Sequence, residues 1–149
     1  MELRGPIEIL VVENNDIQRE NIVALIDTVV RDASIASVAG TKDAMELLLG
    51  SPDAELPRLV ILDLDLGDSN GMDLLKRIRT GDEHAPLTHV PIVIFTDSRD
   101  EECITEAYRL GVNSYVVKPF DYLEFRRVVQ VLVQYWFSQN QTTAGYHPP

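Results

Sequence analysis

The sequence predicts an α/β fold, a doubly wound sandwich of five β/α units whose parallel sheet has the strand order 2-1-3-4-5. Three observations carry that expectation. Four short apolar runs, Ile7 to Val12, Leu59 to Leu62, Ile92 to Phe95 and Tyr115 to Val117, with a weaker one at Ile35 to Ala39, are β-branched and nearly continuous. Strands have that character when both of their faces are covered. Segments with helical spacing separate the runs, so strands alternate with helices and must lie parallel, joined by right-handed crossovers. The length of 149 residues is that of one domain, able to bury about two-thirds of the surface its unfolded chain exposes.

Each element has its own signal. Ile7 to Val12 is the first strand, and Ile17, Ile22, Leu25, Ile26 and Val29 mark the first helix. After the weaker second strand, Thr41 is the expected cap of a helix with Ala44 in its first turn and Leu47 and Leu48 on its apolar face. The third strand, Leu59 to Leu62, precedes a helix marked by Met72, Leu75, Ile78 and Arg79 and ended by Thr80-Gly81. The fourth strand, Ile92 to Phe95, precedes one marked by Cys103, Ala107 and Leu110, with Gly111 as its C-terminal cap. Tyr115 to Val117 is the fifth strand, and the last helix is expected from Tyr122 to about Ser138. No repeat, low-complexity stretch or linker interrupts this order, so residues 1–149 read as one domain with a core over about 7–138. The tail from about Gln139 to Pro149 is expected to be loose.

Composition excludes several classes of function. Against 13 basic side chains stand 24 acidic ones, a formal net charge of −11. A field of that sign repels phosphate backbones and anionic lipid, which argues against direct nucleic-acid binding and against membrane association. Cys103 is the sole cysteine, so no intrachain disulfide or thiol-rich zinc site can form, and a reducing, cytoplasmic setting is expected. Met1 to Pro6 lacks the basic and apolar regions of a signal peptide, and no run of 18 apolar residues could span a bilayer. His84, His89 and His147 match no metal-ligand spacing and are assigned no chemistry.

In a doubly wound sheet the ligand site lies beyond the carboxyl ends of the strands, beside the point where the winding reverses. Four strand ends meet there: Glu13-Asn14, Asp63-Leu64-Asp65, Thr96-Asp97-Ser98 and Lys118-Pro119. Either acid alone could be a simple helix cap. Together they make a rim of acid, acid, hydroxyl and ammonium. Clustered carboxylates call for a hard cation, and Mg2+ with oxygen ligands is the expected ion. Such a rim suits phosphoryl transfer, with a carboxylate as nucleophile, metal and lysine on the equatorial oxygens and a hydroxyl donating to one of them.

These residues carry a resemblance. Ile9 to Asn15, Leu59 to Leu66, Ile92 to Ser98 and Gly111 to Phe120 are similar to the receiver domains of two-component response regulators, CheY-like proteins with the flavodoxin-like fold, over Ile7 to about Phe137. The last of these blocks and the aromatic end at Tyr135-Trp136-Phe137 resemble the single-domain regulators paired with bacterial phytochrome kinases. The resemblance implies that Asp63 accepts a phosphoryl group from a phosphohistidine on a sensor histidine kinase, with a bacteriophytochrome among the candidate partners. It implies a metal site of Glu13, the Asp63 carboxylate and the main-chain carbonyl of Asp65, with Asn14 alongside. It gives Lys118 a bond to Asp63 and then to the phosphoryl group, with Pro119 after a cis bond. It makes Thr96 and Tyr115 the switch pair, acting on a face built from the fourth helix, fifth strand and fifth helix. The phosphoryl group adds a charge of about −1.5 to −2, which would bias that face between two states. The alternative for Tyr115 is plain core, since an aromatic in a buried strand needs no further role.

Two departures modify these expectations. Receivers usually place two acids after the first strand, and here the second is Asn14, whose amide oxygen carries no formal charge. Weaker Mg2+ binding is expected, and a phosphorylation-independent interaction module is the alternative. The last helix from Val128 is also unusually apolar. Phe125, Val128, Val129, Leu132 and Trp136 are assigned to the sheet. Val131, Val133, Tyr135 and Phe137 form a second face without an intrachain partner, expected to build a homodimer, unless the tail folds back over it. A haloacid-dehalogenase-type phosphatase shares the order Asp63-Leu64-Asp65, Thr96, Lys118. It lacks the hydroxyl or branched residue after the second Asp and the acidic pair after the Lys. An EF-hand at Asp68 to Gly71 fails because ligands would fall at Leu66 and Arg77.

Overall fold

The computed structural model describes residues 6–52 and 55–139. His147 and the tail beyond Gln139 lie outside the described residues, as does Met1 to Gly5. Strands β1 (Ile9–Val12), β2 (Ile35–Val38) and β3 (Leu59–Leu62) are followed by a two-stranded hairpin, β4 (Asp65–Leu66) and β5 (Ser69–Asn70). Then come β6 (Ile92–Thr96) and β7 (Ser114–Val117). The helices are α1 (Asp16–Val29), α2 (Thr41–Leu49), α3 (Gly71–Arg79), α4 (Glu101–Arg109) and α5 (Tyr122–Val133). The main sheet has the order β2-β1-β3-β6-β7 with every pair parallel, which is the expected winding once the short hairpin is set aside.

Strand side chains alternate between the two faces, and here both are dry. Leu10, Val12, Val60, Leu62, Ile92 and Ile94 pack with Ala44, Leu48, Leu74, Leu75, Ile78 and Ala107 on the face covered by α2, α3 and α4. Ile9, Val11, Leu59, Ile61, Val93 and Phe95 pack with Ile22, Leu25, Ile26, Phe125, Val129 and Leu132 on the face covered by α1 and α5. This double burial is why β1, β3 and β6 read as unbroken apolar runs, whereas the edge strands β2 and β7 are only partly buried.

Four local expectations are corrected. Ile17 is 72 % exposed rather than on the apolar face of α1, because a five-residue step to Ile22 turns it about 140° away. Gly40, not Thr41, caps α2; Thr41 is the first helical residue, and its hydroxyl donates to Ser69 Oγ at 3.1 Å. No peptide bond among the described residues is cis, so the bond before Pro119 is trans. Val133 and Phe137 do not belong to a free face. Val133 is fully buried, since it lies one α-helical turn beyond buried Val129 on the same side. Phe137 follows in a π-helical turn, Gln134–Gln139, and packs on the same core. The Arg58 guanidinium sits 4.3 Å from the Phe137 ring centroid and donates to its carbonyl at 2.6 Å. The exposed remainder of that predicted face is Val131 and Tyr135.

Candidate functional site

Glu13 directly follows β1, Asp63 directly follows β3, Thr96 ends β6 and Lys118 directly follows β7. Parallel strands bring these four ends to one rim, where each residue is 7 % exposed or less. Tight backbone closure helps to frame it. Gly71 opens α3 so close to the Asp63 carbonyl that a Cβ would overlap its oxygen, which no side chain could tolerate. The hairpin turns at Gly67, whose φ of +74° lies in the left-handed region that glycine adopts without strain. Asn14 packs across that turn.

The centre of the rim is the Lys118 ammonium. It donates to Glu13 Oε1 at 2.5 Å, Gln18 Oε1 at 2.6 Å and Asp63 Oδ2 at 2.7 Å, which uses all three of its N–H bonds. Asp63 Oδ1 accepts a longer bond, 3.3 Å, from the Asp65 amide. Burial, and then the nearby Asp63 charge, push the Glu13 carboxyl up to about 7 in spite of Lys118. Burial also opposes ionisation of Asp63, but the Lys118 hydrogen bond and charge outweigh it, with a smaller contribution from the Thr96 hydroxyl, and hold it below the usual carboxylate range. Lys118 is likewise held above its ordinary value, because its bonds to Asp63 and Glu13 outweigh its own burial. Two carboxylates around one ammonium leave an excess negative charge when both are ionised.

The rim opens into a cleft of about 920 Å³ lined by Glu13, Asp63, Asp65, Asp68, Asp73 and Asp97 together with Asn14, Gln18, Thr96 and Lys118. Among the described residues no three acidic, histidine or cysteine side chains converge as a ready metal cluster. Lys118 stands between the two buried acids, and the Asp65 side chain is turned to the Gly67 amide at 3.2 Å. Main-chain and amide oxygens therefore have to complete any set of ligands. The donors on offer are nonetheless all hard oxygens with surplus negative charge, which fits a hard divalent cation.

Tyr115 is half-buried on β7. Its hydroxyl donates to the Ser98 carbonyl at 2.8 Å in the loop after β6, and its amide donates to Tyr108 Oη at 3.2 Å. Burial raises the phenol above its ordinary value, partly offset by the Ser98 bond. Two residues of the site went unrecognised in the sequence, both in the first turn of α1. Gln18 is the third acceptor of Lys118, and Arg19 donates to the Glu13 carbonyl at 2.8 Å while pairing with Asp16 at 2.7 Å. Their one signal was position, since the helix that leaves an acid-bearing strand end must begin above the rim.

Comparison with known proteins agrees with this fold. The family profile described as response regulator receiver domain matches residues 9–130. The probable methanogenesis regulatory protein FilR2 of Methanothrix harundinacea is 28 % identical, with 95 % of this chain and 91 % of that protein covered. Response regulator Rcp1 of Synechocystis sp. is 26 % identical, covering 91 % of this chain and 92 % of its own. The Mn2+-bound crystal structure of Rcp1 superposes with a TM-score of 0.82 over 93 % of this chain and all of that one, at 26 % identity. The phosphorylated cyanobacterial phytochrome response regulator RcpA has the same fold, with a TM-score of 0.81 over 93 % of this chain and 98 % of its own at 24 % identity.

Proposed function

The chain belongs to the response regulator receiver family, and from that premise we propose that Asp63 is its phosphoacceptor, charged by a sensor histidine kinase. The observation that carries the reading is the placement of Asp63 under Lys118 with Thr96 beside it at the mouth of an acidic cleft. Asp63 Oδ1, the less encumbered oxygen, attacks phosphorus. The P–N bond to the kinase histidine breaks, the imidazole leaves with its electron pair, and an acyl phosphate forms. Lys118 keeps the carboxylate ionised and then holds a phosphoryl oxygen, and the Thr96 hydroxyl donates to another. Glu13, Asp63 and the main-chain oxygen of Asp65, with the Asn14 amide nearby, would hold Mg2+, which supplies positive charge opposite the transferring oxygens.

The resemblance of Gly111 to Phe120 and of the aromatic end at Tyr135-Trp136-Phe137 to regulators paired with bacterial phytochrome kinases supports a phytochrome-type kinase as the donor. Signalling then runs through Thr96 and Tyr115 to the face of α4, β7 and α5, and output is by contact with a partner protein. Incubation with acetyl phosphate and Mg2+, read by intact mass, is expected to add one phosphoryl group to the parent chain and none to Asp63→Asn. Absence of an adduct at every Mg2+ concentration would overturn this reading in favour of an interaction module, which the substitution of Asn14 for a second acid favours.

Self-association through α5 and the π turn after it remains part of the proposal on a narrower basis, the exposed Val131 and Tyr135. Sedimentation at tens of micromolar is expected to show a dimer that Val131→Asp converts to monomer. A monomeric parent chain would sink the idea.

A further inference from the structure

Gln18 has no part in the reaction as described, yet it supplies one of only three acceptors on the reactive ammonium. Lysine carries donors alone, so the Gln18 amide must present its oxygen to Nζ, which fixes the amide's orientation. The residue is anchored from behind. Its backbone N–H donates to Asn15 Oδ1 at 2.9 Å, and neighbouring Arg19 ties the same turn to the Glu13 carbonyl at 2.8 Å. Gln18 also forms part of the wall of a smaller pocket of about 190 Å³ beside Phe120 and Tyr122, so its side chain stands between that pocket and the acidic cleft.

Resting on the phosphoacceptor reading, we propose that Gln18 is a positioning residue for phosphoryl transfer at Asp63, the outer leg of a tripod that takes the third N–H of the Lys118 ammonium and so fixes its orientation over the Glu13–Asp63 pair. A neutral acceptor suits that place. A third carboxylate around the ammonium would add to the excess negative charge and repel an anionic phosphoryl donor. The amide is also the weakest of the three acceptors, because bonds to ionised oxygens are the stronger ones. When Asp63 forms its bond to phosphorus and the leaving group departs, Lys118 can exchange Gln18 for a phosphoryl oxygen without releasing Glu13.

The test compares the full chain with Gln18→Met, similar in length but without an acceptor, and Gln18→Glu, which keeps the acceptor and adds charge. Adduct formation is followed by intact mass over a range of acetyl phosphate concentrations at fixed excess Mg2+. Gln18→Met is expected to lower the maximal rate about five- to tenfold with the half-saturating concentration little changed. Gln18→Glu is expected to recover that rate to within about twofold while raising the half-saturating concentration, since the donor is an anion. A Gln18→Met variant that reacts at the parental rate overturns the proposal. So does equal loss of rate in both variants accompanied by lowered thermal midpoints, which would make Gln18 merely structural. A parent chain that forms no adduct, or an Asp63→Asn variant that forms one, overturns the phosphoacceptor reading itself, whereas the Gln18 outcomes leave that reading standing.

Discussion

Lys118→Met is expected to destabilise the fold by about 3 kcal/mol or more at neutral pH, whereas Asp63→Asn is expected to be neutral or stabilising by about 1 kcal/mol. The asymmetry follows from the count of buried charges. The Lys118, Glu13 and Asp63 side chains are 3 %, 3 % and 8 % exposed, so none can recruit much water if its partner is lost. Removing the ammonium leaves two carboxylates facing one another, and breaking a buried pair in this way costs about 3–5 kcal/mol. Protonation of Glu13, already raised to about 7, limits the loss and should place it near the lower end. Removing the Asp63 charge instead leaves one ammonium with one carboxylate, a balanced pair, and relieves the repulsion that helps to raise Glu13. Urea denaturation with unchanged slope would measure both differences. A Lys118→Met midpoint equal to that of the parent would mean that this trio holds nothing together.

The rim around this trio shows why part of the site was legible in the sequence. Glu13, Asp63 and Thr96 follow or end strands that are buried on both sides, and Lys118 follows the partly buried β7, so the apolar runs locate them and the winding rule brings their ends together. Gln18 and Arg19 carry no such mark. They sit on a helix whose polar side reads as solvated surface, and only the three-dimensional approach of α1 to the end of β7 reveals that one of them touches Lys118. The hairpin of β4 and β5 escaped because two-residue strands are set by the turn at Gly67 rather than by any apolar pattern.

The last helix shows the opposite failure, a pattern over-read. Val131, Val133, Tyr135 and Phe137 are spaced by two, which is a strand period. In a helix such a spacing sends successive residues to nearly opposite sides. Val129, Val133 and Phe137 are instead four apart and share the core side, extended by the π turn and the contact with Arg58. A face defined by what remained after the core was assigned was therefore bound to be mixed. Thr41 is a milder case: hydroxyl residues favour the cap, but Gly40 occupies it with an extended backbone, and Thr41 turns to Ser69 instead.

Titration of Glu13 should make both stability and divalent-cation binding depend on pH, in opposite senses. With its carboxyl at about 7 in the fold against an ordinary 4.5, the native state keeps a proton that the unfolded chain has already released. The stability this provides is fully present below about 4.5 and is lost as pH rises to about 7, a total of about 3 kcal/mol at roughly 1.4 kcal/mol per pH unit. Asp63 has the opposite sign. Held below its ordinary 3.8, it contributes stability that is lost only as pH falls through the acid range, so it does not mask Glu13 between 5 and 7. Without divalent cation, the denaturation midpoint should therefore decline from pH 5.5 to 7.5, and the decline should flatten in Glu13→Gln. A cation competes with that proton for the Glu13 oxygens, so apparent Mg2+ affinity should tighten by up to about tenfold per pH unit below 7 and level off above it. Asn14→Asp should bind Mg2+ several-fold more tightly through its added charge, as read by calorimetric titration at pH 7.5. Mg2+ affinity that is flat from pH 5.5 to 7.5 in the parent chain would show that Glu13 does not lie between the proton and the metal.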